Sequence, residues 1–250
     1  MSLSKNKIKY IQSLKQKKYR EEYNTFVAEG SKLISDLISH LPCQLLVVTE
    51  GLRNNIPTDK AEETIIASRA DMRRASHLAT PPDALAIFYQ PKHNLSAIDF
   101  TKKLSLVLDE VQDPGNLGTI IRIANWFGIE NIICSHNTVD LYNTKTVQAT
   151  MGALAGVNVH YTNILNLLTT YAHLPIYGTF LEGKNIYTQT LQPHGFIVMG
   201  NEGRGISPEI ENLITNRLYI PNFSTQHSTT ESLNVAVATA VVCAEFRRRG

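Results

Sequence analysis

Beyond residue 103 the chain alternates compact apolar runs with longer segments whose apolar residues recur every three or four positions. The runs at 104–108, 131–134, 157–161, 176–180, 196–199 and 218–220 are short and bounded by polar or glycine-containing turns, as expected of strands buried on both faces. Between them, 117–127, 145–155 and 164–171 carry helical spacing. Alternation of this kind predicts an α/β domain built on a parallel sheet with helices on both faces. Ligands of such sheets lie beyond the carboxyl ends of the strands, so chemistry is expected in the loops after Leu108, Phe180, Met199 and Ile220. The first third reads as a smaller α/β unit, with strands at 25–28, 44–49 and 84–89 and helices at 31–38 and 69–76. Residues 90–96 contain Pro91 and no apolar periodicity, which sets a boundary between a domain of residues 1–95 and one of residues 96–250.

The last element is the most apolar. From Leu233 to Phe246 only Asn234, Thr239 and Glu245 interrupt it, so the pattern predicts a helix buried all round, with more faces than one small sheet covers. Thr229, Thr230 and Ser232 are suitable N-caps, and Arg247, Arg248 and Arg249 stand where cations favour the negative end of the helix dipole. Asn234, just inside the apolar segment, reads either as part of a doubled cap or as an amide with a partner elsewhere.

Composition adds limits. With 43% hydrophobic and 18% charged residues the 250-residue chain is an ordinary globular one, and a net charge of +2 demands no polyanionic partner. The charge is uneven, however: Lys5, Lys7, Lys9, Lys15, Lys17, Lys18 and Arg20 all precede the first acidic residue, Glu21. That run fits a solvated helix face or a surface for phosphate backbones. Cys43, Cys134 and Cys243 are too scattered to suggest a disulfide framework or a metal cluster, and they fit a reducing cytoplasm. No stretch reaches the roughly 20 apolar residues of a membrane span, and the opening MSLSKNK lacks the apolar core of a signal peptide, so a cytoplasmic protein is expected.

Two loops carry candidate chemistry. After the strand at 104–108 comes DEVQDPGNLGTIIRIANWFG, in which Pro114 and Gly115 make a turn, Asn116 can cap the next helix and Gly118 admits close backbone approach. Thr119, Arg122 and Asn125 share one face of that helix while Ile120, Ile121, Ala124 and Phe127 turn inward, so Arg122 is either a surface arginine or part of an anion site near the helix start. The second loop, in GFIVMGNEGRGIS, places Gly200, Gly203 and Gly205 at a strand end. It reads as a tight turn or as backbone shaped around a nucleotide-like ligand, although its spacing matches neither the dinucleotide fingerprint nor the P-loop.

Taken in order, N-L-G-T-I-I-R, then G-N-E-G-R-G-I, then I-P with E-S-L-N-V-A-V-A closely resemble the three motifs of the SpoU, or TrmH, family of RNA ribose 2'-O-methyltransferases in the SPOUT superfamily. The resemblance covers about residues 104–249. It implies S-adenosylmethionine as cofactor, ribosomal or transfer RNA as substrate, a homodimer joined at the C-terminal helix, no metal, and a sheet tied in a deep C-terminal trefoil knot. It also implies that the first domain is a small α/β RNA-binding domain. The matching positions place catalytic roles on Asn116, Arg122, Glu202, Ser232 and Asn234, and cofactor contacts on Thr179, Leu181, Gly200, Ile220 and Leu233. Between Pro221 and Glu231 the chain carries NFSTQHSTT, longer than the family's usual link.

Transfer of a methyl group to a ribose hydroxyl asks for alignment and for help in removing a proton. Guanidinium is a poor base, so Arg122 is expected to grip a phosphate and stabilise developing oxyanion charge, held by Glu202, while Asn116, Ser232 and Asn234 position the hydroxyl and loops. Two other readings remain: a non-catalytic RNA-binding module that kept the fold, and a nucleotide-dependent oxidoreductase, disfavoured by the missing G-x-G-x-x-G.

Overall fold

A computed structural model describes residues 3–52, 56–223 and 232–248. The chain forms two compact units, one of Met1–Lys92 with Asp140–Ala155, the other of His93–Val139 with Gly156–Gly250.

The first unit runs α1 (Lys5–Ser13), α2 (Lys17–Tyr23), β1 (Thr25–Glu29), α3 (Ser31–Ile38), β2 (Cys43–Val48), β3 (Ala61–Ile66), α4 (Arg69–Ala75) and β4 (Ala84–Tyr89). Its sheet has the order β1-β4-β2-β3, antiparallel except for the β2–β3 pair. One face packs Val27, Leu45, Val47, Leu85 and Ile87 against Ile11 and Leu14 from the N-terminal segment and Met72 and Ala75 of α4. Strand β3 escapes the periodicity because it is an edge strand whose Glu62 and Glu63 face solvent, so its sequence reads half polar. The basic run is also more structured than a single solvated face. Lys15, Lys17 and Lys18 are exposed, but Arg20 is buried, donating to the carbonyls of Leu14 at 2.8 Å and Lys15 at 2.7 Å and pairing with Asp140 at 2.5 Å. A buried guanidinium needs such saturation.

The second unit begins with β5 (Leu104–Leu108), α5 (Pro114–Trp126) and β6 (Asn131–Cys134). After β6 the chain contributes α6 (Thr144–Thr150) to the first unit. It then continues with β7 (Asn158–Tyr161), α7 (Ile164–Thr170), β8 (Ile176–Phe180), β9 (Lys184–Asn185), β10 (Gly195–Met199), α8 (Pro208–Glu211), β11 (Asn216–Tyr219) and α9 (Val235–Arg248). The helix expected over 145–155 stops at Thr150 because Met151 and Gly152 both turn to positive φ, 50° and 90°. The seven-stranded sheet has the order β7-β6-β5-β10-β8-β11-β9, and every pair is parallel. Its central strands, LSLVL and GFIVM, are buried at every position, which is why they read as compact apolar runs in which Ser105 is the one polar side chain. Val107, Ile133, Ile176, Phe196 and Val198 pack on one side with Phe100, Ile164, Leu168 and Ile210. On the helix pair α5 and α9, Tyr177 of β8 meets Phe246 edge-on at 4.9 Å.

Two expectations about the helices are corrected here. Helix α5 starts at Pro114, three residues earlier than the apolar spacing indicates, because Asp113 caps it by accepting from the Asn116 backbone N–H at 2.8 Å. Arg122 therefore sits in the third turn rather than near the helix start. Helix α9 begins at Val235, not Leu233, and its cap is Asn234, whose side-chain oxygen accepts from Ala236 N at 2.9 Å and Val237 N at 3.3 Å. Nor is α9 buried all round within one chain, since Val237 is 51% exposed and Ala244 is also open. Thr229, Thr230 and Arg249 lie outside the described residues. Among those described, no helix is long and apolar enough to cross a membrane.

The Arg20–Asp140 pair ties residues 120 positions apart inside the first unit. Asp140→Ala leaves a buried guanidinium with two carbonyl partners and no counter-charge, which should cost about 3 kcal/mol. The expected result is a clearly lower urea midpoint; a loss below about 0.5 kcal/mol, the range of ordinary surface changes, would contradict a structural role for the pair.

Candidate active site

The parallel order brings the carboxyl ends of β5 and β10 side by side, and each is followed by one of the two loops singled out above. Their junction is a chain of side-chain hydrogen bonds. Glu202, in the loop after β10, accepts from the Gln112 backbone N–H at 3.2 Å, the Asp113 N–H at 3.1 Å and the Asn116 side-chain amide at 3.0 Å. The Asn116 side-chain oxygen in turn accepts from the side-chain amide of Asn234, at 2.9 Å. Asn234 spends its own oxygen on capping α9. Three segments thus share one directional relay, whose two side-chain bonds join residues 86 and 118 positions apart and give each amide a fixed orientation. Because Asp113 takes over capping of α5, the Asn116 side chain is free for the relay.

The Glu202 carboxyl is subject to opposed effects. Partial burial pushes its pKa up, but the Asn116 amide and the surrounding backbone N–H groups together outweigh that and hold it below the ordinary glutamate value. It is therefore an ionised anchor at neutral pH, with its lone pairs largely committed.

The loop that presents Glu202 is itself fixed. Asn201 and Gly205 exchange backbone hydrogen bonds at 2.9 and 3.0 Å, and a side chain on Gly200 would run into the backbone of Gly205 and Ile206. The Asn201 side chain accepts from the Gly203 and Arg204 N–H groups and donates to the Glu110 carbonyl at 2.8 Å. Glu110 also forms an ion pair with Arg204, accepts from Asn137 at 2.7 Å, and receives the Ser135 hydroxyl oxygen as acceptor for its own N–H at 2.9 Å. Its φ of 57° is unusual for a residue with a side chain, and these contacts hold it there. Asp109, nearly buried, accepts from Ser207 N at 2.7 Å. Asp109, Glu110, Asp113 and Asn201 were not singled out from sequence. Their position directly beyond strand ends, and for Asn201 its place within G-N-E-G-R-G-I, is the signal the sequence carries.

The remaining expected residues make none of the hydrogen bonds of this relay among the described residues. Arg122 is exposed on α5 and makes no ion pair among the described residues, so the expected Glu202–Arg122 contact is absent there and the carboxylate serves Asn116 instead. Ser232 is exposed with no hydrogen-bond partner among the described residues. Thr179, Gly200 and Ile220 lie at the carboxyl ends of β8, β10 and β11, which are neighbours in the sheet. Thr179 is half-buried and donates to the Met199 sulfur at 3.7 Å, whereas Leu181 and Leu233 are 65% and 50% exposed. Among the described residues no group of three or more His, Cys, Asp or Glu side chains is placed to hold a metal ion.

An all-parallel sheet with a polar relay at the carboxyl ends of its strands defines an α/β protein whose active-site loops are carried by strand ends. Residues 103–244 match the SpoU rRNA Methylase family, and residues 5–86 match an MRM3-like substrate binding domain. The chain belongs to the SpoU rRNA methylase family. It is 29% identical over 253 residues to the 23S rRNA (guanosine(2553)-2'-O)-methyltransferase RlmP of Bacillus subtilis, with 98% of each chain covered. A Porphyromonas gingivalis protein assigned to the TrmH family of RNA methyltransferases superposes with a TM-score of 0.90 at 39% identity, covering 99% of both chains. An AdoMet-bound rRNA methyltransferase from Sinorhizobium meliloti gives 0.86 at 28% identity, covering 100% of this chain and 98% of that one.

Glu202→Gln tests the anchor through pH. With the folded pKa lowered, the ionised carboxylate contributes stability above the unfolded value of about 4.3, and that contribution is lost as pH falls through the folded pKa. The difference in melting temperature between wild type and Glu202→Gln should be greatest at neutral pH and shrink toward pH 4 and below. An equal difference at both ends would contradict the anchor role.

Proposed function

We propose that the protein methylates a ribose 2'-hydroxyl of ribosomal RNA, with S-adenosylmethionine as methyl donor. The observation that carries this reading is the Asn234–Asn116–Glu202 relay, which joins the three family motifs at the strand ends. The relatives named above, an rRNA 2'-O-methyltransferase and an AdoMet-bound rRNA methyltransferase, support the reaction, the substrate class and the cofactor.

The residues present fit the cofactor. Thr179, Gly200 and Ile220 form a continuous rim on three adjacent strands, and the exposed apolar Leu181 and Leu233 offer surface for a purine and its ribose. Bound there, S-adenosylmethionine supplies an electrophilic methyl group on its sulfonium. The chain's own task is to orient the hydroxyl. Asn116 and Asn234, locked by Glu202, fix hydrogen-bonding directions for the ribose, with Ser232 nearby in sequence. Arg122 meets the phosphate of the target nucleotide in a two-pronged contact and steadies charge on the oxygen. Glu202 is a poor candidate for the base because its pKa is depressed and its oxygens are occupied.

The same reading extends to assembly and topology. Strand β10 lies between β5 and β8 although it follows β8 in sequence, and this order supports a deep trefoil knot closed by the last helix. Residues 1–95 bind substrate RNA and residues 96–250 carry out transfer, in line with the two family matches. A homodimer is supported by one face of α9 on which Val237 and Ala244 are exposed and Ala240 and Val241 half-covered, with the exposed Leu233 just before the helix, and by Trp126 of the adjoining α5, 85% exposed. The three free cysteines are buried, and cytoplasmic residence suits them.

Arg122→Lys decides the central assignment. Lysine keeps the charge and the helix propensity but loses the fork. The variant should fold normally, bind S-adenosylmethionine with near-native affinity and methylate rRNA at least about tenfold more slowly. Tritium transfer within twofold of wild type, with the fold intact, would remove Arg122 from the active site. For assembly, Val237→Asp should convert a dimer into a monomer by light scattering; a wild-type monomer at micromolar concentration would overturn the dimer.

A further inference from the structure

The first unit carries an aromatic cluster that neither the family motifs nor the relay uses. Tyr19 and Tyr23, one turn apart on α2, have nearly parallel rings, 11° between planes and 6.3 Å between centroids. Tyr10 of α1 meets Tyr23 edge-on at 5.1 Å and 87°. Tyr10 cannot swing away, because its hydroxyl is held by Thr25 at 3.1 Å and donates to Gln44 at 2.8 Å, and both Tyr10 and Tyr19 pack on the unit's apolar core. Tyr23 is different. It is 43% exposed, its hydroxyl has no hydrogen-bond partner among the described residues, and Asn24 ends the helix directly after it in the left-handed conformation. The ring is thus oriented from two sides while much of it stays open to solvent.

Charge surrounds this ring. Residues 5–23 contain seven cations against two carboxylates. Lys18 stands 5.8 Å from the centroid of the Tyr19 ring. Among the described residues Lys5, Lys9, Lys15 and Lys18 make no ion pair, whereas Lys7 is paired with Glu63 and Lys17 with Glu21. An oriented aromatic face beside uncommitted ammonium groups is the combination that binds unpaired nucleotides: lysines meet the phosphates, and the ring stacks on a base of any identity.

We propose that Tyr23, buttressed by Tyr10 and Tyr19, is a stacking platform for an unpaired base of the RNA substrate, with Lys18 and its neighbours on the adjoining phosphates. This deepens the RNA methyltransferase reading and rests on it for the identity of the polymer. The site distinguishes single-stranded from double-stranded RNA, because bases inside a duplex present no free face to a side chain. It contributes affinity without naming a sequence.

The test uses the full chain, a short fluorescein-labelled single-stranded RNA of mixed sequence, and a duplex of equal length, read by fluorescence anisotropy over a range of salt. Tyr23→Ala should weaken single-strand binding by roughly tenfold, the scale of losing one stacked base. It should leave duplex binding and the salt slope unchanged. Tyr23→Phe should stay within twofold of wild type. Tyr23→Leu, which keeps apolar bulk without a ring, should bind like Tyr23→Ala and serves if alanine lowers the melting temperature. The double change Lys15→Gln and Lys18→Gln should instead weaken both RNAs and flatten the salt slope.

Single-strand affinity of Tyr23→Ala within twofold of wild type overturns the platform, as does an equal loss on the duplex or equal losses for Tyr23→Phe and Tyr23→Ala. Tritium transfer to ribosomal RNA separates the two ideas. If wild type and Tyr23→Ala both methylate and both bind alike, the platform falls and the methyltransferase stands. If wild type binds single strands through Tyr23 but transfers no methyl group, the methyltransferase reading fails and the platform remains a single-strand site.

Discussion

The Glu202 carboxylate is the group on which the second unit's candidate active site depends. Its two oxygens accept from two backbone amides of the loop after β5 and from the Asn116 side chain, so a single ionised group fixes a loop, a helix start and, through Asn116, the start of α9. A carboxylate has enough lone pairs for this, and an amide does not. Since Asn116 must offer its N–H to Glu202, its oxygen is left facing Asn234, and the orientation of both amides follows from one negative charge. A site built this way is preorganised before any substrate arrives, which is where the catalytic benefit of fixed dipoles lies.

That arrangement needs backbone held in unusual shapes. Gly200 has no room for a side chain, and Glu110 carries one in a left-handed conformation that glycine would adopt more readily. The strain at Glu110 is offset by contacts that reach in two directions, to Arg204 and Asn201 in the loop that presents Glu202 and to Ser135 and Asn137 beyond β6. Strained, over-determined backbone beside a polar relay is a mark of a functional site rather than of general stability.

The two units divide the electrostatic work. The chain as a whole is nearly neutral, yet its first 23 residues are strongly basic, so attraction to a polyanion is concentrated on α1 and α2 while the relay sits in a second unit whose chemistry depends on local hydrogen bonds. Within the basic segment the cations are not equivalent. Arg20 is consumed in holding Asp140 and two carbonyls, and Lys15, Lys17 and Lys18 face solvent. Charge counts alone cannot separate a structural guanidinium from one available to phosphate, because the separation is made by burial.

The sequence alone makes the parallel sheet legible, since strands buried on both faces are mostly apolar, as LSLVL, NIIC and GFIVM are apart from Ser105 and Asn131, and they alternate with helical segments. It also determined which loops matter, because three motifs in a fixed order mark them, and the basic character of the N-terminal segment. Tertiary structure decided the rest. Whether Asn116 caps α5 or joins a relay depends on Asp113 reaching the helix start first, a choice between two polar residues that no periodicity records. Glu202 could pair with Arg122 or with Asn116 on composition alone, and only the adjacency of β5 and β10 places the amide within reach. Strand β3 and the burial of Arg20 were hidden for the same reason: an edge strand and a saturated guanidinium take their meaning from neighbours distant in the chain. Apolar patterning reports how much of a residue is buried, and directional polar contacts between remote segments are fixed only once the chain has brought them together.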